Sequence, residues 1–469
     1  MSAKRIGFII GLAAFLLTFV IPAPAGMPSA AWLTAGLVAW MAAWWMTEAV
    51  PLTATALLPF VVLPLGGVMT ANEAASSYYS PTMFLILGGA FLALAIERTN
   101  LHCRLAVGIL NTMGKRGGPN QLLFAFMIAT GLLSTTISNT STALIMMPMA
   151  LAVLGAGGVS ADRQDGLSGA LPMGIAFAAS IGGLGMIIGS PTNAIAVGLL
   201  EETIGVQISF VQWMIYGMPI VLLGIPLAAL IISKVQKVGQ DSFDVAAAHA
   251  AITTQREWTV PEKRLVPLFA LAFLLWVTQP LTEPLLPKGA LTDGTIAVFV
   301  GLLLFIVPDG TGRPMLTWPE ANRAPWDVIM MFGGGLALAA GMTASGLATW
   351  LGQSLLPLAA LPLWVVALAV VALVILITEF ASNVATASGI MPVVASLTVA
   401  LGADPLLLAL PAAMAASWGF MLPAGTGPNA IAWSTRRIAL PRMVGAGFLL
   451  DIAGIFLLVG AVWAVAALF

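Results

Sequence analysis

The chain has 469 residues, of which 60% are hydrophobic and 8% charged, with a formal net charge of −1 and a mean hydropathy of +1.02. A soluble domain carries about 25% charged residues, so the composition excludes a water-soluble globule and specifies an all-α polytopic membrane protein. The near-zero charge implies no nucleic-acid partner. The single Cys103 excludes an intrachain disulfide, and two histidines without a His/Cys cluster argue against zinc or haem.

In chain order, Lys4-Arg5 precedes an apolar run from Ile6 to Pro22 that is near spanning length. It resembles a signal peptide but is read as an uncleaved first span within residues 1–30. Apolar segments predict spans near 6–24, 31–46, 51–66, 81–97, 170–200, 209–233, 264–280, 291–307, 326–343, 405–435 and 441–466, about 11 transmembrane helices. Two further apolar stretches, 121–155 and 362–398, are interrupted by Ser-Asn motifs and read as re-entrant helical hairpins. Segments near 100–115 and 345–358 are too short or too amphipathic to span and are expected along the interface.

Of the 18 Lys and Arg residues, only Lys288 falls outside the segments read as cytoplasmic, which include Lys115, Arg116 and Arg256. This places the N-terminus in the cytoplasm and the C-terminus on the periplasmic or extracellular side of a cell inner membrane. Residues 31–233 form a first repeat and 264–469 a second, joined by a cytoplasmic connector at 234–263. Each repeat holds five spans and one hairpin, and an odd span count inverts one repeat relative to the other. Gly88-Gly89 recurs as Gly333-Gly334.

The repeats also duplicate their polar motifs. Ser138-Asn139-Thr140-Ser141-Thr142-Ala143 recurs as Ser382-Asn383-Val384-Ala385-Thr386-Ala387, with Pro148 and Pro392 downstream. Gly189-Ser190-Pro191-Thr192-Asn193 recurs as Gly425-Thr426-Gly427-Pro428-Asn429. Proline removes a backbone donor and glycine permits unusual dihedrals, so the second pair should break the helices at 170–200 and 405–435. Freed carbonyls can then face a cation and freed N–H groups an anion. A hydroxyl lies five residues before each motif asparagine, Ser134 before Asn139 and Thr378 before Asn383, which suggests one cation site per repeat.

No Lys or Arg occurs between Arg116 and Arg163 or between Arg323 and Arg436, so no side-chain cation is expected near either motif. Helix N-termini and bound cations would have to hold an anion there, which favours co-transport over exchange. Glu48 and Glu379 are the intramembrane acids. No nucleophile–base pair or metal constellation appears at membrane depth, so the chain is not read as an enzyme.

These residues resemble the divalent anion/sodium symporter family, whose members carry dicarboxylates, citrate or sulfate. The matching stretches are Trp45-Met46-Thr47-Glu48-Ala49-Val50-Pro51-Leu52, Asn100-Leu101-His102-Cys103-Arg104, Ile137-Ser138-Asn139-Thr140, Ala179-Ser180-Ile181-Gly182-Gly183, Thr378-Glu379-Phe380-Ala381-Ser382-Asn383 and Pro428-Asn429-Ala430-Ile431. The resemblance covers nearly the whole chain. It implies a homodimer in the lipid bilayer and an elevator movement that carries substrate and sodium together. It implies one sodium site from Ser134, Ser138, Asn139 and the Gly189 carbonyl, and another from Thr378, Ala381, Asn383 and the Gly425 carbonyl. Substrate would meet Asn139, Thr140 and Asn383, with Ser190, Pro191 and Thr426 close by. Val384 stands where the family often has Thr, which removes a hydroxyl from the substrate. Gly427 departs from the family's usual Thr-Pro-Pro-Asn and is expected to loosen the second loop. The expected activity is import of a C4-dicarboxylate of the succinate, malate or fumarate type, a small dianion, with two or more Na+. A sodium-independent exchanger, or a symporter of citrate or sulfate, is the alternative.

Overall fold

The computed structural model describes residues 3–113, 118–160, 162–240, 244, 247 and 257–468. Lys115, Arg116, Arg256 and 14 of the 30 residues of the 234–263 connector lie outside the described residues. Among the described residues the regular structure is helical, apart from an isolated bridge between Pro308 and Pro314. The chain begins with α1 (Ala3–Leu17), α2 (Ser29–Thr47), α3 (Leu52–Thr55), α4 (Leu58–Leu65), α5 (Ala71–Ser76), α6 (Pro81–Thr99) and α7 (Leu101–Met113). It continues with α8 (Pro119–Ser134), α9 (Asn139–Ala156), α10 (Gly166–Gly183), α11 (Pro191–Ile204) and α12 (Phe210–Gln236). Then come α13 (Val260–Thr282), α14 (Asp293–Ile306), α15 (Trp318–Ala321), α16 (Trp326–Ala344) and α17 (Leu347–Leu355). The last are α18 (Leu363–Phe380), α19 (Asn383–Ala400), α20 (Pro405–Ala415), α21 (Gly427–Ser434) and α22 (Leu440–Ala466).

Nine helical stretches among the described residues are long and apolar enough to cross a membrane, fewer than the spans and hairpin arms read from sequence. Two expected spans account for part of the difference. The stretch 51–66 divides into α3 and α4 around Ala56 and Leu57, with Pro59 in the first turn of α4. The run beginning at Ile6 stops being helical at Leu17, where Thr18 donates its hydroxyl to the Phe15 carbonyl at 2.7 Å and Pro22 and Pro24 follow. At 15 residues, α1 is shorter than the roughly 20 residues that cross a bilayer.

The centre of the molecule is α10. Every residue from Gly166 to Gly183 is buried, and none is charged. A helix apolar on all sides is one surrounded by protein. Its small residues let neighbours approach: a Cβ on Gly182 would lie 2.2 Å from the Gly131 carbonyl oxygen of α8. Around α10 pack α8, α9 and α12, and α12 continues the bundle through α22 to α20 and α18. Away from this bundle α6 packs on α14, α13 on α14, and α1 on α2. The recurring glycine pair serves the same purpose twice. Gly88 lies against the Ala297 backbone of α14 and Gly334 against the Ala56 backbone, with built Cβ atoms 2.4 Å from each.

The two halves of the chain interlock. Helix α11 packs on α19 of the later hairpin, and α21 packs on α9 of the earlier one. Each hairpin's second arm thus meets a short helix from the opposite half, which brings all four polar motifs into one region.

Candidate functional site

Each motif first solves a local problem. Four short breaks expose the N-termini of α9, α11, α19 and α21, whose first N–H groups have no helical partner. A motif hydroxyl caps each of them. Ser138 accepts from the Ser141 N–H at 3.2 Å, Ser190 from Thr192 at 3.3 Å, Ser382 from Ala385 at 3.2 Å and Thr426 from Asn429 at 3.2 Å. Pro191 and Pro428 lie in the first turns of α11 and α21, where a missing donor costs nothing.

In the first half, Ser134 Oγ lies 2.7 Å from the Ala179 carbonyl and 2.9 Å from Asn139 Oδ1. One hydroxyl proton serves one acceptor at a time, so this is an oxygen-rich point. Gly183 sits beneath the asparagine, with a built Cβ only 2.2 Å from Asn139 Oδ1. A Cβ on Gly189 would lie 2.6 Å from the Gly183 carbonyl oxygen and 2.9 Å from those of Ser134 and Thr135. Only glycine fits at either position. The result is a group of neutral oxygens without a fixed cation among them, the chemistry that replaces an alkali ion's hydration shell.

The second half repeats this with one change. Thr378 Oγ1 lies 2.8 Å from the Ala416 carbonyl and 3.0 Å from Asn383 Oδ1. A Cβ on Gly425 would lie 3.3 Å from the Glu379 carbonyl oxygen and 3.4 Å from that of Leu422, a looser packing than at Gly189. The first half has a short 3-10 turn at Ile187–Gly189, whereas the second runs from Ser417 to Thr426 without a regular helix. Three backbone donors there lack carbonyl partners, and the Glu379 carboxylate takes them. It accepts from Phe420, from Met421 at 2.9 and 3.1 Å, and from Leu422 at 3.0 Å. Buried Asp451 of α22 lies next to Glu379, and neither of its carboxyl oxygens finds a donor.

Sequence reasoning missed a second asparagine pair. Asn193 Nδ2 donates to the carbonyls of Gly183 at 2.7 Å and Met186 at 2.9 Å. Asn429 Nδ2 donates to those of Gly419 at 3.5 Å and Leu422 at 3.1 Å. Each side chain ties its short helix to the end of the segment before it, and both amide oxygens are left buried without a partner. The duplicated Pro-x-Asn and Gly-Pro-Asn spacing carried this signal.

Glu48 ends α2 in the left-handed region, with its side chain 61% exposed and 3.8 Å from Lys4. Two residues depart from expectation. Gly427 does not loosen its loop, since it opens α21 and lies against Thr140. A side-chain cation does approach the first motif. A cavity of about 180 Å³ is lined by Ser138, Ser141, Ser190 and Pro191 and also by Glu97 and Arg323. The loop carrying Arg323 is far from the motif in sequence and is returned to it by the packing of α6 and α16. Val384 is half-buried among apolar side chains, Thr140 is exposed and Ala381 is buried as the C-cap of α18. No group of His, Cys, Asp and Glu among the described residues could hold a metal ion.

Residues 2–468 match the family described as "Sodium:sulfate symporter transmembrane region". The chain is 38% identical to the sodium-dependent dicarboxylate transporter SdcS of Staphylococcus saprophyticus over 481 residues, 98% of this chain and 91% of that protein. It is 39% identical to the protein of the same name from Staphylococcus aureus over 484 residues, with the same coverage. A crystal structure of the Alcanivorax borkumensis YdaH transporter superposes with a TM-score of 0.59 at 14% identity, covering 87% of this chain and 88% of that one, a likeness of fold alone.

Proposed function

We propose that this chain, which belongs to the sodium:sulfate symporter transmembrane family, imports a C4-dicarboxylate of the succinate, malate or fumarate type together with sodium. The observation that carries the reading is the duplicated cluster of neutral oxygens: Ser134, Asn139 and the carbonyls around Gly189 in one half, and Thr378, Asn383 and the carbonyls around Gly425 in the other. Each cluster would take one sodium ion. Thr140, Ser190, Pro191, Thr426 and Val384 belong to the caps and first turns of α9, α11, α21 and α19 and would face the dianion. Those N-termini carry partial positive charge. Together with two bound cations they would balance a dianion in a region where the motifs themselves supply no charged side chain.

The buried bundle around α10 would move as the carrier unit against the α6, α13 and α14 group, as an elevator, in a homodimer. The protein would sit in a cell inner membrane with its N-terminus cytoplasmic and its C-terminus outside. With more than two sodium ions per dianion, each cycle would move net positive charge inward, worth about 2.3 kcal/mol per charge at 100 mV.

Uptake of labelled succinate into proteoliposomes, with sodium or choline outside, tests the reading. Uptake that needs the sodium gradient supports it. Sodium-independent uptake that requires internal substrate would replace it with exchange. The family description favours sulfate as a second cargo, and counterflow with sulfate against succinate decides between them.

A further inference from the structure

We propose that Arg323 is an anion-binding residue at the mouth of the substrate cavity, kept in reserve by Glu97 and able to exchange that carboxylate for one of the substrate's. The inference rests on the dicarboxylate reading above and names a residue that the motifs do not contain.

Three observations carry it. First, Arg323 and Glu97 are the charged side chains lining the cavity that reaches Ser138, Ser190 and Pro191. Both also line an adjoining cavity of about 390 Å³. The pair is therefore part of the wall shared by the two spaces, one of which reaches the motif hydroxyls.

Second, Arg323 is only loosely held. Among the described residues its one side-chain hydrogen bond is to Glu97 Oε2 at 3.4 Å, and its side chain is 67% exposed. Its neighbour Arg98 is in the opposite condition. Arg98 is 18% exposed and bonds the Met315 and Pro314 carbonyls and the Asp309 carboxylate, with Glu320 at 3.6 Å. Arg98 is a fixed structural cation. Arg323 can change partner at little cost, because an exposed ion pair adds little stability. Its planar guanidinium matches a carboxylate with two parallel N–H groups.

Third, the matching positions in the other repeat are uncharged. The glycine pair recurs with an offset of 245 residues (88 to 333), which matches Glu97 with Met342 and Arg323 with Tyr78. The device is therefore built on one face of the molecule, the face that the positive-inside reading assigns to the cytoplasm.

The consequence is directional. A dianion leaving the neutral cradle would lose its bound cations and helix N-termini while still out of bulk water. Arg323 supplies a charge at that point, and Glu97 then reclaims the guanidinium and releases the anion. The pair would set affinity on the inner face and leave the outer face untouched.

The test uses full-length protein in right-side-out and inverted membrane vesicles, with labelled succinate as probe and saturating sodium. Arg323→Gln should raise the inner-face KM about tenfold, Arg323→Lys should recover part of that, and Glu97→Gln should lower the inner-face KM and slow turnover. The outer-face KM should stay unchanged in all three, which also reports correct folding. Wild-type inner-face KM in both Arg323→Gln and Glu97→Gln, or equal changes on both faces, would overturn the proposal. A choline arm reports separately on sodium coupling: uptake without sodium would defeat the symport reading and leave the comparison between faces intact.

Discussion

Thr140 of the first Ser-Asn motif rests on the backbone of Gly427 in the second half of the chain. A Cβ on Gly427 would lie 2.3 Å from Thr140 Oγ1. This contact joins the two halves of the site across about 290 residues of sequence, and a side chain at 427 would force Thr140 to move. Gly427→Ala should therefore cut sodium-driven uptake by an order of magnitude or more. Thr140→Ala in the same protein should restore part of it, giving a coupling of about 1–2 kcal/mol in a double-mutant cycle. Gly445, where an added Cβ would meet nothing within 4 Å, is the control, and Gly445→Ala should behave as wild type. Additive losses from Gly427→Ala and Thr140→Ala would show that the contact carries no energy.

The oxygen clusters make a second prediction. Asn139→Ala and Asn383→Ala each remove the amide oxygen facing Ser134 or Thr378, and each should abolish sodium-driven uptake while the protein stays folded. Ser134→Ala and Thr378→Val delete only a hydroxyl and should act more mildly, raising the sodium concentration for half-maximal uptake about tenfold. Sodium titration of uptake, with size-exclusion profiles to report folding, measures both. Full activity in either asparagine variant would remove that cluster from the mechanism.

What the sequence revealed depended on whether the signal was local. The helix breaks and both Ser/Thr–x4–Asn pairs are set by residues a few positions apart, and each hydroxyl lies 2.9 or 3.0 Å from its asparagine oxygen. Span lengths were less legible. Prolines at 59 and 64 and the turn after Leu17 shortened helices that hydropathy alone extends. Long-range features could not be read at all. Arg323 meets the first motif only through helix packing, and Glu379 finds its three N–H partners about 41 residues away because the segment before α21 lacks a helix.

Val384 tests the selectivity half of the site. It follows Asn383 in the first turn of α19 and is half-buried among apolar neighbours. Val384→Thr nearly preserves shape and adds a hydroxyl, so stability should fall by no more than about 1–2 kcal/mol. Competition of unlabelled succinate, malate, fumarate, citrate and sulfate against labelled succinate should change order. The sodium response should hold. A shifted sodium response with an unchanged anion order would assign residue 384 to the cation instead.

Asp309 gives a prediction about stability and pH. It lies between α14 and α15, outside the spans, with its side chain fully buried against Arg98. Burial alone would push its carboxyl up. The Thr311 N–H and hydroxyl, each 2.7 Å away, and the Arg98 guanidinium outweigh burial and hold it down at about 2. A carboxylate depressed in the folded state stabilises above its unfolded value of about 4, and that contribution fades as pH falls toward about 2. Asp309→Asn leaves Arg98 with Glu320 and two carbonyls as partners, so the loss should be about 2 kcal/mol at neutral pH rather than the full penalty of an orphaned buried charge. Thermal unfolding in detergent should show a constant gap between wild type and Asp309→Asn from about pH 8 to about pH 5, closing below about pH 4. A gap of the same size at about pH 3 would mean that the contribution comes from packing and not from the ionised carboxylate.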